Sequence, residues 1–269
     1  MIPTVLSIAG SDPSGGAGIQ ADVKAMSANG AFAMAAVTAL TAQNTQGVTG
    51  VHHVPADFVR QQIEAVFDDI RVDAVKIGMI ATAQIAEAVA AALAPRHDLP
   101  IVLDPVMVAK GGASLLDDDA VDTLLGRLLP LAAVITPNLP EAARILGQRE
   151  AASRAEMARQ ATGMRALGPA AVLIKGGHLA GGESPDCLAT AEGVTWIEGT
   201  RITTENTHGT GCTLSSALAA QIAHRHPLPQ AVANAKSYVS AAIAGAQALS
   251  VGAGHGPTHH FANLSFSKG

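Results

Sequence analysis

The chain has 269 residues, of which 48% are hydrophobic, and it carries a formal net charge of −5 at pH 7. This negative charge argues against a nucleic-acid surface, and no apolar run reaches the ~18 residues of a membrane span. No basic segment precedes an apolar one at the start, so a secretory signal is not predicted. Two cysteines, Cys187 and Cys212, give no disulfide framework, which favours a reducing, cytoplasmic compartment.

Apolar runs of strand length alternate with stretches of helical spacing along the chain. The predicted strands are 5–9, 32–40, 48–54, 74–79, 101–103, 133–135 and 171–174, with an edge hairpin of 186–191 and 194–197. The predicted helices are 19–29, 56–70, 83–93 after an N-cap at Thr82, 117–129, one opened by 137–141, 154–167, 211–224 and 229–249. This alternation predicts a single α/β domain over residues 1–269, with a mostly parallel sheet and helices on both faces.

Polar residues follow most of the predicted strands. They are Asp12, Gln43, Asn44, Asp104, Asn138 and Lys175. Ligands bind at the carboxyl ends of the strands in such sheets, so we expect these side chains to line one crevice. Some of these polar side chains also have a purely structural explanation. Asp12 suits a turn, Asn138 and Glu141 have the spacing of a capping box, and Asp22 suits a solvated helix face.

The segment Gly209-Thr210-Gly211-Cys212 precedes a helix pattern rich in small residues. The free N–H groups and the dipole of a helix N-terminus favour an anion, typically phosphate. A thiol in the first helical turn is expected to have a lowered pKa. The alternative is an ordinary helix start with glycines at a tight turn. No Gly-Lys-Ser/Thr follows and Leu214 replaces a third glycine, which excludes a Walker A loop and a dinucleotide fingerprint.

Two further features are given structural interpretations. Cys187 lies in an apolar edge strand, where inert packing is expected. His259 and His260 have no additional ligand at metal-binding spacing, so they are assigned to a solvated tail.

Eight motifs together resemble the hydroxymethylpyrimidine/phosphomethylpyrimidine kinases, and they extend over essentially the whole chain. The motifs are GSDPSGGAGIQAD at 10–22, TAQN at 41–44, KIGM at 76–79, VLDPVM at 102–107, TPNLPEA at 136–142, KGGH at 175–178, NTHGTGCTLS at 206–215 and GPTHHF at 256–261. The resemblance implies a three-layer αβα, ribokinase-like fold and a homodimer. It also implies two ATP-dependent phosphorylations in thiamine biosynthesis. The alcohol of 4-amino-5-hydroxymethyl-2-methylpyrimidine is phosphorylated first, and its monophosphate is then converted to the diphosphate.

The resemblance also assigns substrate-binding residues. Asp22 and Gln43 are expected to hydrogen-bond the pyrimidine, since a carboxylate and an amide can read a ring that bears an amine and ring nitrogens. Gly10 is expected to offer a backbone contact. Met79 and Val106 are expected to pack on the ring.

A second group is assigned to ATP, Mg²⁺ and the transferred phosphoryl group. Asn138 and Glu141 are expected to organise the metal and phosphates, with Asp104 nearby and Glu141 acting through water. Lys175 places positive charge beside the phosphates. The segment from Gly209 through Thr210 and Gly211 to Cys212 is expected to form the anion hole.

Cys212 is hypothesised to act as a thiolate base in the first phosphorylation only, because a phosphate oxygen is already ionised. Residues 106–116 are expected to form a flap that excludes water from the γ-phosphate. Two rival functions remain at this stage, a pyridoxal kinase of the same superfamily and a catalytically silent binding protein. The intact Glu141, Lys175 and Cys212 argue against the silent protein.

Overall fold

The computed structural model describes residues 1–107 and 118–264, and most of their strands form one eight-stranded sheet. The strands are β1 Thr4–Ala9, β2 Phe32–Val37, β3 Ala39–Asn44, β4 Gly47–His53, β5 Ala74–Ile77, β6 Ile101–Leu103, β7 Val134–Ile135, β8 Ala171–Ile174, β9 Asp186–Thr190 and β10 Gly193–Ile197. The order across the sheet is β10-β9-β8-β7-β6-β5-β1-β2, and β3 pairs with β4 in a separate hairpin. Pairing is parallel from β2 to β8, whereas β9 runs antiparallel to both β8 and β10. The predicted α/β class and edge hairpin are confirmed.

The helices lie on both faces of this sheet, as predicted. They are α1 Gly18–Ala28, α2 Ala56–Asp69, α3 Ala83–Leu93, α4 Asp118–Thr123, α5 Leu139–Leu146, α6 Arg154–Arg165, α7 Thr210–Ala223 and α8 Leu228–Ala244. Thr82 caps α3 by accepting a hydrogen bond from the backbone N–H of Ile85 at 3.3 Å. The predicted helix 117–129 is not α-helical along its whole length, because a π-helical turn at Leu124–Leu128 follows α4.

The predicted strand 32–40 is confirmed from Phe32 to Val37, but its end is wrong because the chain leaves the sheet at Thr38. The buried Thr38 hydroxyl donates to the Met79 carbonyl at 2.7 Å, and the Thr38 N–H donates to the Ala9 carbonyl. A continuous apolar run does not reveal this break. Beyond it, β3 and β4 project as a hairpin that carries Gln43 over the carboxyl ends of the strands.

Two apolar clusters cover the two faces of the sheet, because successive strand residues point to opposite sides. Leu6 and Ile8 of β1 join the cluster under α2, α3, α5 and α6. Val5 joins the cluster under α1, α7 and α8, where α7 contributes mainly alanines. These small side chains let α7 pack closely against α8 and the sheet, which places the start of α7 at the strand ends.

The C-terminal tail packs across α7 and α8. The His208 N–H donates to the Gly256 carbonyl, and the His260 Nε2 lies 3.1 Å from the Thr213 hydroxyl. Tyr238 donates its hydroxyl to the His260 carbonyl at 2.7 Å. His260 is only 4% exposed, so its assignment to a solvated tail was wrong. Burial lowers the pKa of His260 to about 4, because the charged imidazolium is disfavoured away from water.

His260 is predicted to make the protein less stable as the pH falls. Its folded pKa of about 4 lies below the ordinary value of 6.5, so the unfolded chain binds more protons between these values. The contribution of His260 is fully present above pH ~6.5 and decreases by on the order of 3 kcal/mol towards pH ~4. Urea unfolding from pH 4.5 to 7.5 measures this loss, and His260→Gln should remove it. The exposed His97→Gln is the control. Equal slopes for wild type and His260→Gln would contradict the assignment.

Candidate active site

A cavity of about 1000 Å³ opens at the carboxyl ends of the central strands. It is large enough for two small ligands, since single drug-sized sites span roughly 300–1,000 Å³. All but one of the site residues predicted from the sequence lie on its wall. They are Gly10, Gln43, Met79, Asp104, Val106, Asn138, Glu141, Lys175, Gly209, Thr210, Gly211 and Cys212. The exception is Asp22. Of the predicted flap, residues 108–116 lie outside the described residues.

The N-terminus of α7 is brought against the loop that follows β1. Gly209 is the N-cap residue, with a φ of 75°. A Cβ at Gly209 would lie 1.8 Å from the carbonyl oxygen of Gly16, so only glycine permits this approach. The N–H groups of Gly211 and Cys212 in the first turn of α7 have no carbonyl four residues earlier in the helix, so they can bind an anion in the cavity. The Thr210 N–H donates to the Thr207 carbonyl at 3.3 Å.

Lys175 and Asp104 form an ion pair beside this helix end. The Lys175 ammonium lies 3.0 Å from Asp104 Oδ1, and Thr136 donates to the same oxygen at 3.1 Å. A Cβ built on Gly211 would lie 3.4 Å from the Lys175 Nζ. Burial alone would raise the pKa of Asp104, but Lys175 and then Lys76 hold it below the usual value. The site therefore places a cation against the start of α7.

Asn138 and Glu141 make both hydrogen bonds of a capping box at the start of α5. Glu141 Oε2 accepts from the Asn138 N–H at 2.8 Å, and Asn138 Oδ1 accepts from the Glu141 N–H at 2.8 Å. The structural role suggested by their spacing is confirmed. Burial raises the pKa of Glu141 to about 7, although Lys175 at 4.0 Å opposes the change. Glu141 therefore holds its proton to a higher pH than an ordinary glutamate.

The structure contradicts the direct contact between Asp22 and the pyrimidine. Asp22 is fully buried below the cavity, where Lys76 Nζ lies 2.9 and 2.8 Å from its two carboxylate oxygens. Ser7 and Ser216 also donate to this carboxylate, at 2.6 and 2.7 Å. A carboxylate so enclosed cannot reach a ring in the cavity, and the solvated alternative is wrong as well. Sequence reasoning gave Lys76 no role, although a lysine inside an apolar strand signals a buried partner.

The predicted low pKa of Cys212 is also wrong. Burial raises the pKa of the Cys212 thiol to about 11, and the carboxylates of Asp22 and Asp104 act in the same direction. Lys76 and a hydrogen bond from the Gly18 N–H favour the thiolate but do not outweigh burial. The Cys212 thiol is therefore protonated near neutral pH. Cys187 is fully buried in β9, in agreement with its predicted packing role.

Asp12 forms the expected turn, and its carboxylate has an additional hydrogen-bond partner outside that turn. Its carboxylate accepts from the Ser14 N–H at 2.9 Å and from the Ala17 N–H at 2.8 Å. The ring nitrogen Nε2 of His208 lies 2.7 Å from Asp12 Oδ2. His208 also lines the cavity. Its position was not predicted, because the contact joins residues 196 apart in the chain.

The donor set fits Mg²⁺ bound mainly by phosphates and water. Among residues 1–107 and 118–264, no group of three or more His, Cys, Asp or Glu side chains could form a protein cage for a metal. Asp104 and Glu141 offer carboxylates beside the cation Lys175. Mg²⁺ commonly takes one or two carboxylates together with substrate phosphates, so this sparse set is compatible with it.

Comparison with solved structures defines the class of protein. The Bacillus subtilis pyridoxal kinase in complex with ADP is 36% identical, with a TM-score of 0.90 over 98% of this chain and 99% of the other. The Clostridium difficile phosphomethylpyrimidine kinase is 41% identical, with a TM-score of 0.79 over 90% of this chain and 100% of the other. This chain therefore has the ribokinase-like fold of the vitamin kinases.

The sequence comparison identifies the family. The sequence model described as phosphomethylpyrimidine kinase matches residues 12–259. The hydroxymethylpyrimidine/phosphomethylpyrimidine kinase of Salmonella typhimurium is 52% identical over 95% of this chain and 96% of its own length. The chain belongs to the phosphomethylpyrimidine kinase family and is a phosphotransferase, which confirms the resemblance.

Loss of one partner from the buried pair Lys76–Asp22 is predicted to be severe. Lys76→Met would leave the Asp22 carboxylate buried and uncompensated, so we expect a loss of ~3–5 kcal/mol in the free energy of unfolding. Denaturant titration measures this loss in the free energy of unfolding. Lys76→Met combined with Asp22→Asn should recover part of the loss. In the half-exposed pair Arg60–Glu64, Arg60→Met should cost less than ~0.5 kcal/mol. Similar small losses at both sites would refute the buried-charge interpretation.

The thiol of Cys212 is predicted to react slowly with iodoacetamide near neutral pH. Only the thiolate is nucleophilic, so its rate should rise about tenfold per pH unit between pH 7 and 9.5 without a plateau. Mass spectrometry of the Cys212 peptide gives the rate, and Cys212→Ser gives the background from Cys187. A plateau below pH ~8.5 would indicate an ordinary or activated thiol and contradict the raised pKa.

Proposed function

We propose that this chain transfers the γ-phosphoryl group of ATP to 4-amino-5-hydroxymethyl-2-methylpyrimidine and then to its monophosphate, in thiamine biosynthesis. The observation that carries the proposal is the N-terminus of α7 beside the pair Lys175–Asp104, inside a cavity of about 1000 Å³. Such an arrangement stabilises negative charge on a transferring phosphoryl group. Family membership supports the choice of reaction.

In the first step, the substrate hydroxyl oxygen attacks the γ-phosphorus as the bond to the ADP oxygen breaks. The backbone N–H groups from Gly209 to Cys212 hold the equatorial oxygens, and Lys175 offsets their charge. Asn138, Glu141 and Thr210 lie where they can orient the nucleotide phosphates. When bound, Mg²⁺ neutralises phosphate charge, and Asp104 and Glu141 are the residues that would hold it, Glu141 through water.

Cys212 is proposed to take the hydroxyl proton in this step. Because its pKa is about 11, the thiol first loses its own proton to solvent, and the resulting thiolate then accepts the hydroxyl proton as the O–P bond forms. Lys76 below it and the Gly18 N–H at the start of α1 favour that ionisation. In the second step the attacking group is a phosphate oxygen, which is already ionised and needs no base.

The ring is proposed to lie between Gln43 and the apolar side chains of Met79 and Val106, close to the Gly10 backbone. All four residues line the cavity. A Cβ at Gly10 would lie 2.2 Å from the terminal methyl of Met79, so glycine keeps this side of the cavity open. The amide of Gln43 offers both a donor and an acceptor to an aminopyrimidine edge. Asp22 contributes indirectly, through its pair with Lys76.

Pyridoxal phosphorylation is the second candidate function. The 36% identity and TM-score of 0.90 to a pyridoxal kinase favour it. Pyridoxal also carries a primary alcohol on a six-membered heteroaromatic ring, so the same phosphoryl-transfer groups would serve. The two candidates differ in the ring edge presented to Gln43.

A cytoplasmic homodimer is the proposed working state. Phe32, Leu40, Val51 and Phe58 are exposed apolar residues on or beside the edge strand β2 and the β3–β4 hairpin. Exposed apolar surface of this kind is commonly covered in an assembly. In residues 1–107 and 118–264, none of the helices has both the length and the apolar composition needed to cross a membrane.

Cys212→Ala is predicted to separate the two phosphorylations. Loss of a general base costs about 10²–10⁴-fold in rate, so kcat with the hydroxymethylpyrimidine should fall by at least ~100-fold. The rate with the monophosphate should fall by less than ~10-fold, because its nucleophile needs no deprotonation. Initial rates with each substrate at saturating ATP and Mg²⁺ measure both. Equal losses would favour a purely geometric role in the anion hole.

The function itself is tested by ADP release with the hydroxymethylpyrimidine, its monophosphate and pyridoxal offered separately. We expect turnover of both pyrimidines, with weaker turnover of pyridoxal. Strong turnover of pyridoxal alone would overturn the pyrimidine assignment. If none of the three substrates is turned over, the result would favour the alternative that the chain is a catalytically silent binding protein.

A further inference from the structure

The β3–β4 hairpin has little packing of its own against the body of the protein. Its two strands pair with each other and are separate from the eight-stranded sheet. Every residue of β4 is half-buried or exposed. A segment with few buried apolar contacts opens readily unless other contacts hold it. The hairpin nevertheless places Thr41, Gln43 and Val48 on the wall of the cavity, so the contacts that hold it also determine the shape of the site.

The base of the hairpin is held by the loop that follows β1. The Ser11 N–H donates to the Ala39 carbonyl at 2.8 Å, and the Thr41 hydroxyl donates to the Ser11 carbonyl at 2.9 Å. Because β3 has six residues, the tip lies roughly 17 Å from this base. A small tilt at the base would therefore move Gln43 substantially unless the tip is held as well.

The tip of the hairpin is held by the C-terminal tail. The Gly254 N–H donates to Thr45 Oγ1 at 3.2 Å, and the His255 N–H donates to the Thr45 carbonyl at 3.0 Å. Thr45 is only 9% exposed. A Cβ at Gly254 would lie 2.1 Å from the Thr45 carbonyl oxygen, and a Cβ at Gly252 would lie 2.2 Å from Thr45 Oγ1. The tail therefore approaches the tip at two positions where only glycine fits.

The same stretch of the tail is anchored beside the start of α7. The His208 N–H donates to the Gly256 carbonyl at 3.0 Å, and the Thr258 N–H donates to the His208 carbonyl at 3.4 Å. A Cβ at Gly256 would lie 2.2 Å from Asn206 Oδ1. Residues 252–258 therefore connect the tip of the hairpin to the residues that lead into the anion-binding end of α7.

We propose that residues 252–258 form a positioning strap, which holds the hairpin tip to the start of α7 and thereby sets where Gln43 lies over the cavity. Among the described residues that line the cavity, none belongs to this strap, so it acts on a ligand only through the hairpin. The inference rests on the proposed function for the role of Gln43 in binding the ring. The hold of the tail on the hairpin does not rest on it.

Gly254→Ala tests the strap without any substrate. The new Cβ would meet two backbone atoms, the Thr45 oxygen at 2.1 Å and the Gln46 nitrogen at 2.9 Å, so the tail and the tip must separate by about 1 Å. We expect amide hydrogen exchange in residues 39–50 to become about fivefold faster, the equivalent of one lost hydrogen bond. Gly182→Ala is the control, because its Cβ would meet nothing within 4 Å. Unchanged exchange in the hairpin of Gly254→Ala would overturn the strap.

The positioning role is tested by steady-state kinetics. Gly254→Ala should raise the KM for the hydroxymethylpyrimidine about tenfold, with kcat and the KM for ATP changed less than ~2-fold, because the strain lies at the hairpin. A milder pair of variants decides the question where Gly254→Ala does not fold. Thr45→Val removes the acceptor of the Gly254 N–H and should raise the same KM about threefold. Thr45→Ser retains the acceptor and should behave as wild type.

The outcomes separate this proposal from the proposed function. Faster exchange with an unchanged pyrimidine KM would show that the tail holds the hairpin without positioning Gln43, and the positioning role would be rejected. Equal increases in the KM for the pyrimidine and for ATP would indicate a general loss of structure and would reject it as well. Wild-type protein that turns over no pyrimidine would reject the proposed function instead, and hydrogen exchange would still decide the strap. Each variant is compared at a concentration where light scattering gives the wild-type mass.

Discussion

The site depends on buried charges that have to be paired with one another. The pair Lys76–Asp22 and the pair Lys175–Asp104 lie below and beside the start of α7. Ser216 of α7 donates to Asp22 at 2.7 Å, and Ser215 donates to Asp104 at 3.4 Å. An unpaired charge at such depth would be very costly, so each group constrains the others. The helix end is thereby tied to β5, to α1 and to the residues that follow β6 and β8.

The same charges determine the protonation states of the neighbouring groups. Burial and nearby carboxylates raise the pKa of the Cys212 thiol and the pKa of the Glu141 carboxyl. The cavity wall therefore carries less negative charge than its residue types suggest. This is favourable for binding ATP, whose phosphates would be repelled by a full set of ionised acids.

The sequence predicted well those features that depend on neighbours in the chain. The capping box of Asn138 and Glu141, the N-cap Thr82 and the edge hairpin all involve residues within a few positions of one another. The features it missed are set by distant contacts. The break at Thr38 depends on Met79, and the burial of His260 depends on α7 and α8. The expected thiolate at Cys212 failed because helix position was weighed without burial, and Asp22 failed because its partner Lys76 was overlooked.

We propose that the N-terminus of α7 and Lys175 stabilise the phosphoryl group while it is transferred. The most direct test is a crystal structure with ADP, Mg²⁺, aluminium fluoride and the hydroxymethylpyrimidine, since this fluoride mimics the transferring group. We expect the fluoride against the backbone N–H groups of Gly209 to Cys212, with the Lys175 ammonium beside it and the substrate oxygen in line. A fluoride bound away from the start of α7, with Lys175 still paired only to Asp104, would contradict it.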